Sequence, residues 1–142
     1  MPAVKAALVA LLTTAINDAT VQVVWGRPQD SLVSRQCVYI ADVSYASEIA
    51  NIKSGRKQRD ERYTVDVVIS IYLPRGESQT CEERAYALLD SLENVLADDP
   101  TLGGVDGLGW AVLGNVSVAT VQLKEGPNCV IVADVDVLAR LV

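Results

Sequence analysis

The chain contains no histidine and no phenylalanine, and these absences restrict both its chemistry and its core. Histidine is the commonest general base and a frequent zinc ligand, so Ser-His-Asp triads, Cys-His pairs and histidine-containing zinc sites are excluded. Aromatic residues make up only 5% of the chain, although half of its residues are hydrophobic. Val, Leu, Ile and Ala must therefore fill the core. We predict no enzyme activity, no cofactor and no metal.

Cysteine is scarce as well, with three residues that lie far apart: Cys37, Cys81 and Cys129. An odd, scattered set does not favour a disulfide framework, and we expect folding in a reducing cytosol. Cys37 and Cys129 lie in strand-like runs, where cysteine acts as a small hydrophobic residue. Cys81 lies near a predicted helix N-terminus, which favours a thiolate, but the sequence supplies no base beside it.

Length and charge indicate one acidic domain. No linker, internal repeat or low-complexity tract divides the 142 residues, so residues 1–142 are predicted to form a single domain. The net charge of −6 argues against a protein that holds nucleic acid, because phosphate contacts require an excess of Lys and Arg. The high apolar fraction favours contacts between subunits.

The N-terminal segment has two interpretations. Residues 3–18 show helical spacing of apolar side chains and predict an amphipathic helix. A short signal peptide is the alternative, since one Lys precedes a small apolar run. No run reaches the roughly 18 apolar residues that a membrane-spanning helix needs, and we predict no membrane association.

The most informative segment is 61–104. Residues 61–73 alternate and predict a long half-buried strand. Residues 81–97 follow, with one apolar stripe at helical spacing, and Thr80 and Glu83 fit a capping box. Pro100 and the Gly103-Gly104 pair predict the helix end and a turn. The stripe consists of Ala85, Leu88, Leu89, Leu92, Val95 and Leu96.

The remaining pattern completes the predicted fold. Strands are predicted at 21–25, 36–43, 45–52, 110–123 and 129–138, and residues 29–35 are a polar connection. Together with the strand at 61–73, the order is helix, three strands, long strand, helix, two strands. This order predicts an α+β domain with a mixed, mainly antiparallel sheet and two helices packed on it.

A basic arm, defined here as residues 53–62, joins two antiparallel-looking strands. It contains Lys53, Arg56, Lys57 and Arg59, and Gly55 provides a turn, so a projecting hairpin is predicted. We consider three roles: a solvated loop, a docking surface for an acidic partner, and a nucleic-acid contact. The four named residues are the candidate partner interface. No aromatic residue lies among them, which disfavours the nucleic-acid contact.

Two further patterns have simple structural interpretations. The glycines at 103–109 follow a helix and lack the Lys-Ser/Thr ending of a phosphate loop, so they are interpreted as a link. Asp98, Asp99 and Asp106 carry the oxygens that a divalent cation prefers. A helix end followed by a turn explains the same residues, and we favour that interpretation.

Segment 61–104 also resembles the tail terminator proteins of long-tailed, siphovirus-like bacteriophages. The resemblance rests on Glu-Arg-Tyr-Thr-Val at 61–65, on Arg-Ala-x-x-Leu-Leu-x-x-Leu-Glu at 84–93 and on Asp-Pro-Thr-Leu-Gly-Gly at 99–104. The order of the predicted elements is similar too. The resemblance implies a tail-terminator-like fold across the whole chain.

The resemblance further implies a structural virion protein, made in the host bacterial cytoplasm and located at the head–tail junction. Such a protein forms a ring, usually hexameric, that caps the tail tube, stops its polymerisation and presents a surface for head–tail joining. Its partners would be the tail tube protein and a neck or head-completion protein, with DNA passing through the lumen without specific binding. The alternatives are another phage neck protein, for head closure or tail completion, or a bacterial α+β binding module or enzyme subunit.

Overall fold

The computed structural model describes residues 2–27, 36–53 and 56–141. Within these ranges, residues 45–53, 56–60 and 140–141 are described by their backbone alone. The described residues form two helices and five strands. The helices are α1 (Pro2–Ile16) and α2 (Ser78–Asp98). The strands are β1 (Val21–Val24), β2 (Gln36–Lys53), β3 (Arg56–Tyr72), β4 (Leu108–Gln122) and β5 (Pro127–Leu141).

The five strands form one sheet in the order β1-β2-β3-β5-β4. Only β1 and β2 pair in parallel, and the other three pairings are antiparallel. Both helices pack on one face of this sheet. The predicted α+β fold, a mixed and mainly antiparallel sheet carrying two helices, is confirmed.

The core lies between the helices and that face of the sheet. The predicted stripe of α2 is confirmed: five of its six residues are buried, and Val95 packs against them while partly exposed. The odd-numbered residues of β3 and β5 meet this stripe, and α1 adds three buried side chains. These residues are Val65, Val67, Ile69 and Ile71 of β3, Cys129, Ile131, Ala133, Val135 and Val137 of β5, and Val4, Leu8 and Leu12 of α1.

One predicted strand boundary was wrong. Residues 36–43 and 45–52 belong to a single strand, β2, so the sheet has five described strands where six were predicted. The pairing of β2 with β3 shifts register between Ile40 and Val43. An inserted residue interrupts the alternation of side chains without ending the strand, and the sequence pattern therefore resembled two strands. The predicted polar connection at 29–35 lies outside the described residues.

The predicted start of α2 was wrong as well. The N-cap is Glu77, with no side-chain cap hydrogen bond, and Thr80 lies inside the first turn. The preceding turn closes early, since the Gly76 N–H donates to the Leu73 carbonyl at 3.0 Å. The chain is then already positioned to enter the helix at Ser78. Glu83 accepts a hydrogen bond from Gln79 at 2.9 Å and forms no capping box.

The predicted end of α2 is confirmed. The Asp99 N–H donates to the Val95 carbonyl, and the Asp99 carboxylate accepts hydrogen bonds from the backbone N–H groups of Thr101 at 3.0 Å and Gly103 at 2.8 Å. Gly103 has φ 81°, a backbone conformation that glycine adopts without steric cost. These contacts turn the chain towards β4.

Candidate interaction surfaces

The basic arm is the outer end of the β2–β3 hairpin. Lys53 is paired with Arg56, which confirms the predicted antiparallel hairpin up to these two residues. Pairing of β3 with β5 ends at Arg59, opposite Leu141, so Arg56, Lys57 and Gln58 are paired with β2 alone among the described strands. The side chains of Lys53, Arg56, Lys57 and Arg59 lie outside the described residues. Their role in a partner interface stays a prediction.

A second charged surface lies on the sheet face opposite the helices, and no described helix covers it. Asp66 of β3 and Asp134 of β5 are directly opposite one another across the two strands. Asp136 follows on the same face of β5, and Asp42 of β2 lies close enough to act electrostatically on Asp66. We call these four residues the acidic face. Asp42 is exposed and the other three are half-buried.

Asp66 keeps its proton to a higher pH than an ordinary aspartate does. Partial burial, a hydrogen bond with Asp134 and the negative charges of Asp134 and Asp42 together raise the pKa of Asp66 to about 6. Directly opposite cross-strand residues have Cβ atoms about 5 Å apart, where two full charges repel. The negative charge of this face therefore increases as the pH rises through about 6.

The surroundings of the acidic face leave room for its carboxylates. Thr64 donates a hydrogen bond to Asp136 over 3.4 Å. Asp136 also lies against Gly114 of β4, where an added Cβ would be only 2.6 Å from its Oδ2 atom. Gly114 thus permits the position that Asp136 occupies.

Sequence reasoning missed the acidic face. The predicted strands at 61–73 and 129–138 contain Asp66, Asp134 and Asp136, and the alternation of each strand turns its aspartates away from its apolar side. Sequence reasoning had no means of pairing Asp66 with Asp134, because that contact depends on the register between strands that are distant in sequence. The alternation of aspartates was the available signal.

Arg84, part of the segment that carries the resemblance, has a structural contact. Its guanidinium donates to Gln36 of β2 and to Asp18 in the turn after α1, both at 2.7 Å. Asp18 also accepts hydrogen bonds from the Thr20 hydroxyl and backbone N–H. These two hydrogen bonds and the Arg84 charge lower the pKa of Asp18. Arg84 therefore ties α2 to the α1–β1 turn and to β2.

The cysteines are all buried and free. The Cys81 thiol donates to the carbonyl oxygens of Ile71 at 3.2 Å and Pro127 at 3.6 Å. Burial raises the pKa of this thiol, although neighbouring backbone hydrogen bonds oppose the shift. A buried thiol with a raised pKa is a poor nucleophile. Cys81 is a core residue.

Asp99, the residue that follows α2, holds the turn after the helix. Both carboxylate oxygens of Asp99 accept hydrogen bonds from Thr101 and Gly103, which confirms the favoured interpretation for this residue. Within the described ranges, no group of three or more His, Cys, Asp or Glu side chains is arranged to hold a metal ion.

Two open cavities lie outside the helix-covered core. One, of about 400 Å³, occupies the sheet face next to the acidic face and is lined by Arg27, Tyr39, Val68, Ser70, Leu123, Asn128 and Val130. The other, of about 590 Å³, lies between the turns at Pro74 and Lys124. Their described linings combine no nucleophile with a neighbouring base, so neither identifies a reaction.

Comparison with known proteins adds no identity. No model of a known protein family matches the chain. A search of curated proteins finds no match. Of the helices in the described part of the chain, neither is long and apolar enough to cross a membrane.

Proposed function

We propose that this protein is a tail terminator of a long-tailed bacteriophage, a structural protein that caps the tail tube as a ring. The observation that carries the proposal is the folding of segment 61–104, whose sequence resembles that family, as one continuous structural unit. In it, β3 leads through a turn into α2, α2 packs on the apolar side of β3, and Asp99 closes the helix end.

The charged surfaces support a function based on assembly. A closed ring needs two different patches on each subunit, because the contact is heterologous. The arm and the acidic face are two such patches, opposite in sign and located on different parts of the molecule. The net charge of −6 suits a ring through which DNA passes without being held. Surface complementarity performs this function, and no bond is made or broken.

The partners proposed for the ring are the tail tube protein on one side and a neck or head-completion protein on the other. We expect a hexameric ring, located at the head–tail junction of the virion. A head-closure or tail-completion protein, the alternative function, would bind a different partner. The decisive measurement is therefore whether the protein binds the tail tube or the head connector.

The experiment combines the purified protein with tail tubes grown from a purified tail tube protein of the same phage. Electron microscopy should show one ring at one end of each tube, and tube length should stop increasing once the protein is added. Rings that bind only to head connectors would assign the protein to another neck position. A protein that binds neither structure would reject the proposed function.

The arm provides a second test of the same function. Replacing Arg56, Lys57 and Arg59 with Ser should leave the melting temperature nearly unchanged, since surface changes rarely exceed about 0.5 kcal/mol. Capping should be slowed or lost, and wild-type capping should weaken with salt. Replacing Arg75 and Lys124 with Ser is the control. Normal capping by the arm variant across a range of salt would make the arm a solvated loop.

A further inference from the structure

The tip of the basic arm and the acidic face are complementary in charge. Between Lys53 and Arg59, four of the seven residues are basic and none is acidic. The acidic face places four aspartates together on one side of three neighbouring strands. The chain as a whole carries a net charge of −6, so the excess of positive charge at the tip of the arm is opposite to the charge of the rest of the molecule.

The tip of the arm, residues 53–59, cannot reach the acidic face of the same subunit. Of the four aspartates in the acidic face, Asp136 is the nearest to the arm along the strands, because it is paired with Thr64. Thr64 is five positions along β3 from Arg59, which is about 17 Å at 3.3 Å per residue. Asp66 is two positions farther away. The two surfaces lie along the same extended strand, which keeps them apart, and this distance is far beyond the reach of an arginine side chain.

We propose that the acidic face binds the tip of the basic arm of a second copy of this chain. The proposal rests on the proposed ring function and identifies the contact between its subunits. Each subunit would give its arm to one neighbour and receive an arm from the other. Such a contact is heterologous, and it closes into a ring when the rotation between subunits permits.

A second copy fits this face because of its electrostatics. Two molecules that each carry −6 repel unless opposite charges meet at their contact. The charged groups on the face are Asp42 from β2, Asp66 from β3, and Asp134 and Asp136 from β5.

Two neighbours bound the face. Arg62 lies two residues before Thr64, on the same side of β3 and towards the arm. On β4, the uncharged Gly114 lies beside Asp136. Protonation of Asp66 removes negative charge from the face, so the contact should weaken as the pH falls through about 6.

Charge reversal tests the contact directly. The first variant reverses the arm with Arg56→Glu and Lys57→Glu, and the second reverses the face with Asp42→Lys and Asp134→Lys. Each variant alone brings like charges together at every contact. We expect its self-association, measured by sedimentation velocity at low salt, to be weaker by at least about tenfold. A one-to-one mixture of the two variants should recover association, because every contact in an alternating assembly is again complementary.

A control separates a specific contact from a change in net charge. Arg75→Glu with Lys124→Glu changes the net charge as much as the arm variant does, at residues outside the arm. This control should associate much more strongly than the arm variant. Circular dichroism checks that every variant is folded, and a chain carrying both the arm and the face reversals provides a second test of recovery, since its own surfaces are complementary.

Three results would overturn the proposal. They are a wild-type protein that stays monomeric up to millimolar concentration at low salt, folded variants whose mixture does not recover association, and a control as weak as the arm variant. The capping experiment remains a separate measurement. Association through these residues without tube capping would reject the tail terminator function and leave the subunit contact standing.

Discussion

The Asp66–Asp134 pair should make the protein less stable as the pH rises towards neutrality. In the folded protein, partial burial and the neighbouring carboxyl groups raise the pKa of Asp66 to about 6. An aspartate in an unfolded chain has a pKa of about 3.9. Between these values the folded state binds more protons than the unfolded state. The free energy of unfolding therefore falls as the pH rises from about 4 to about 6, and the loss is complete above that range.

The size of this effect follows from the shift. A pKa raised from about 3.9 to about 6 corresponds to about 3 kcal/mol at full effect. Asp66 is only half-buried on an open sheet face, where solvent screens the repulsion. We therefore expect a loss on the order of 1 kcal/mol.

Asp66→Asn is the informative variant. Its amide is uncharged at every pH and can donate a hydrogen bond to Asp134, as the protonated carboxyl group does. Urea titrations should show a stability gain on the order of 1 kcal/mol at pH 7.5 and little gain at pH 4.5. Asp90→Asn, at an exposed position of α2, is the control. Equal pH dependence of wild type and Asp66→Asn between pH 4.5 and 7.5 would refute the assignment.

Three further predictions concern the fold, and each is measured as the free energy of unfolding in urea. Leu92→Ala, at a residue that is 1% exposed, should cost about 2–5 kcal/mol, whereas Glu93→Ala should stay within about 0.5 kcal/mol; equal losses would mean that the buried face of α2 is wrongly assigned. Asp99→Ala should cost about 1 kcal/mol by removing the hydrogen bonds that close the helix end, and an unchanged stability would contradict their role. Gly114→Ala should cost about 0.5–1.5 kcal/mol by displacing the Asp136 carboxylate from its rotamer, and it should cost less in an Asp136→Ala background; an equal cost in both backgrounds would contradict this contact.

The sequence predicts β3 and α2 well because each has a single clear periodicity. Alternation along residues 63–73 and helical spacing along residues 85–96 identify the buried faces without information about any other element. The packing of α2 on the apolar side of β3 then follows, because the two apolar surfaces are adjacent in sequence and must be covered.

The errors occurred where the backbone departs from a regular period. The register shift after Ile40 changes which residues of β2 alternate, and a pattern of side chains does not distinguish such a shift from a strand end. The capping box at Thr80 was plausible from residue types alone. The helix begins at Ser78 because the turn at Gly76 closes early, and the geometry of that turn cannot be read from residue types.

Of the two candidate surfaces, one was predictable from the sequence and the other was not. The basic arm could be found from sequence because its charges are consecutive along the chain. The acidic face unites residues 42, 66, 134 and 136, and these come together only through the pairing of β2, β3 and β5. Its discovery required the strand register, which a single sequence does not provide.

The position of Asp66 and Asp134 is difficult to explain by folding alone. Like charges directly opposite one another on neighbouring strands are destabilising. Partial burial first, then the hydrogen bond with Asp134 and this repulsion, raise the pKa of Asp66 to about 6. An uncharged side chain at either position would remove the repulsion without disturbing the apolar face of the sheet, because these residues lie on the side away from the helices. At neutral pH, a positive group beside the pair would neutralise this repulsion. Within the chain, the dense basic cluster is the arm tip, which its own subunit holds too far away. The cost of the pair to the isolated subunit is therefore best explained by a contact that forms when a second subunit supplies its arm.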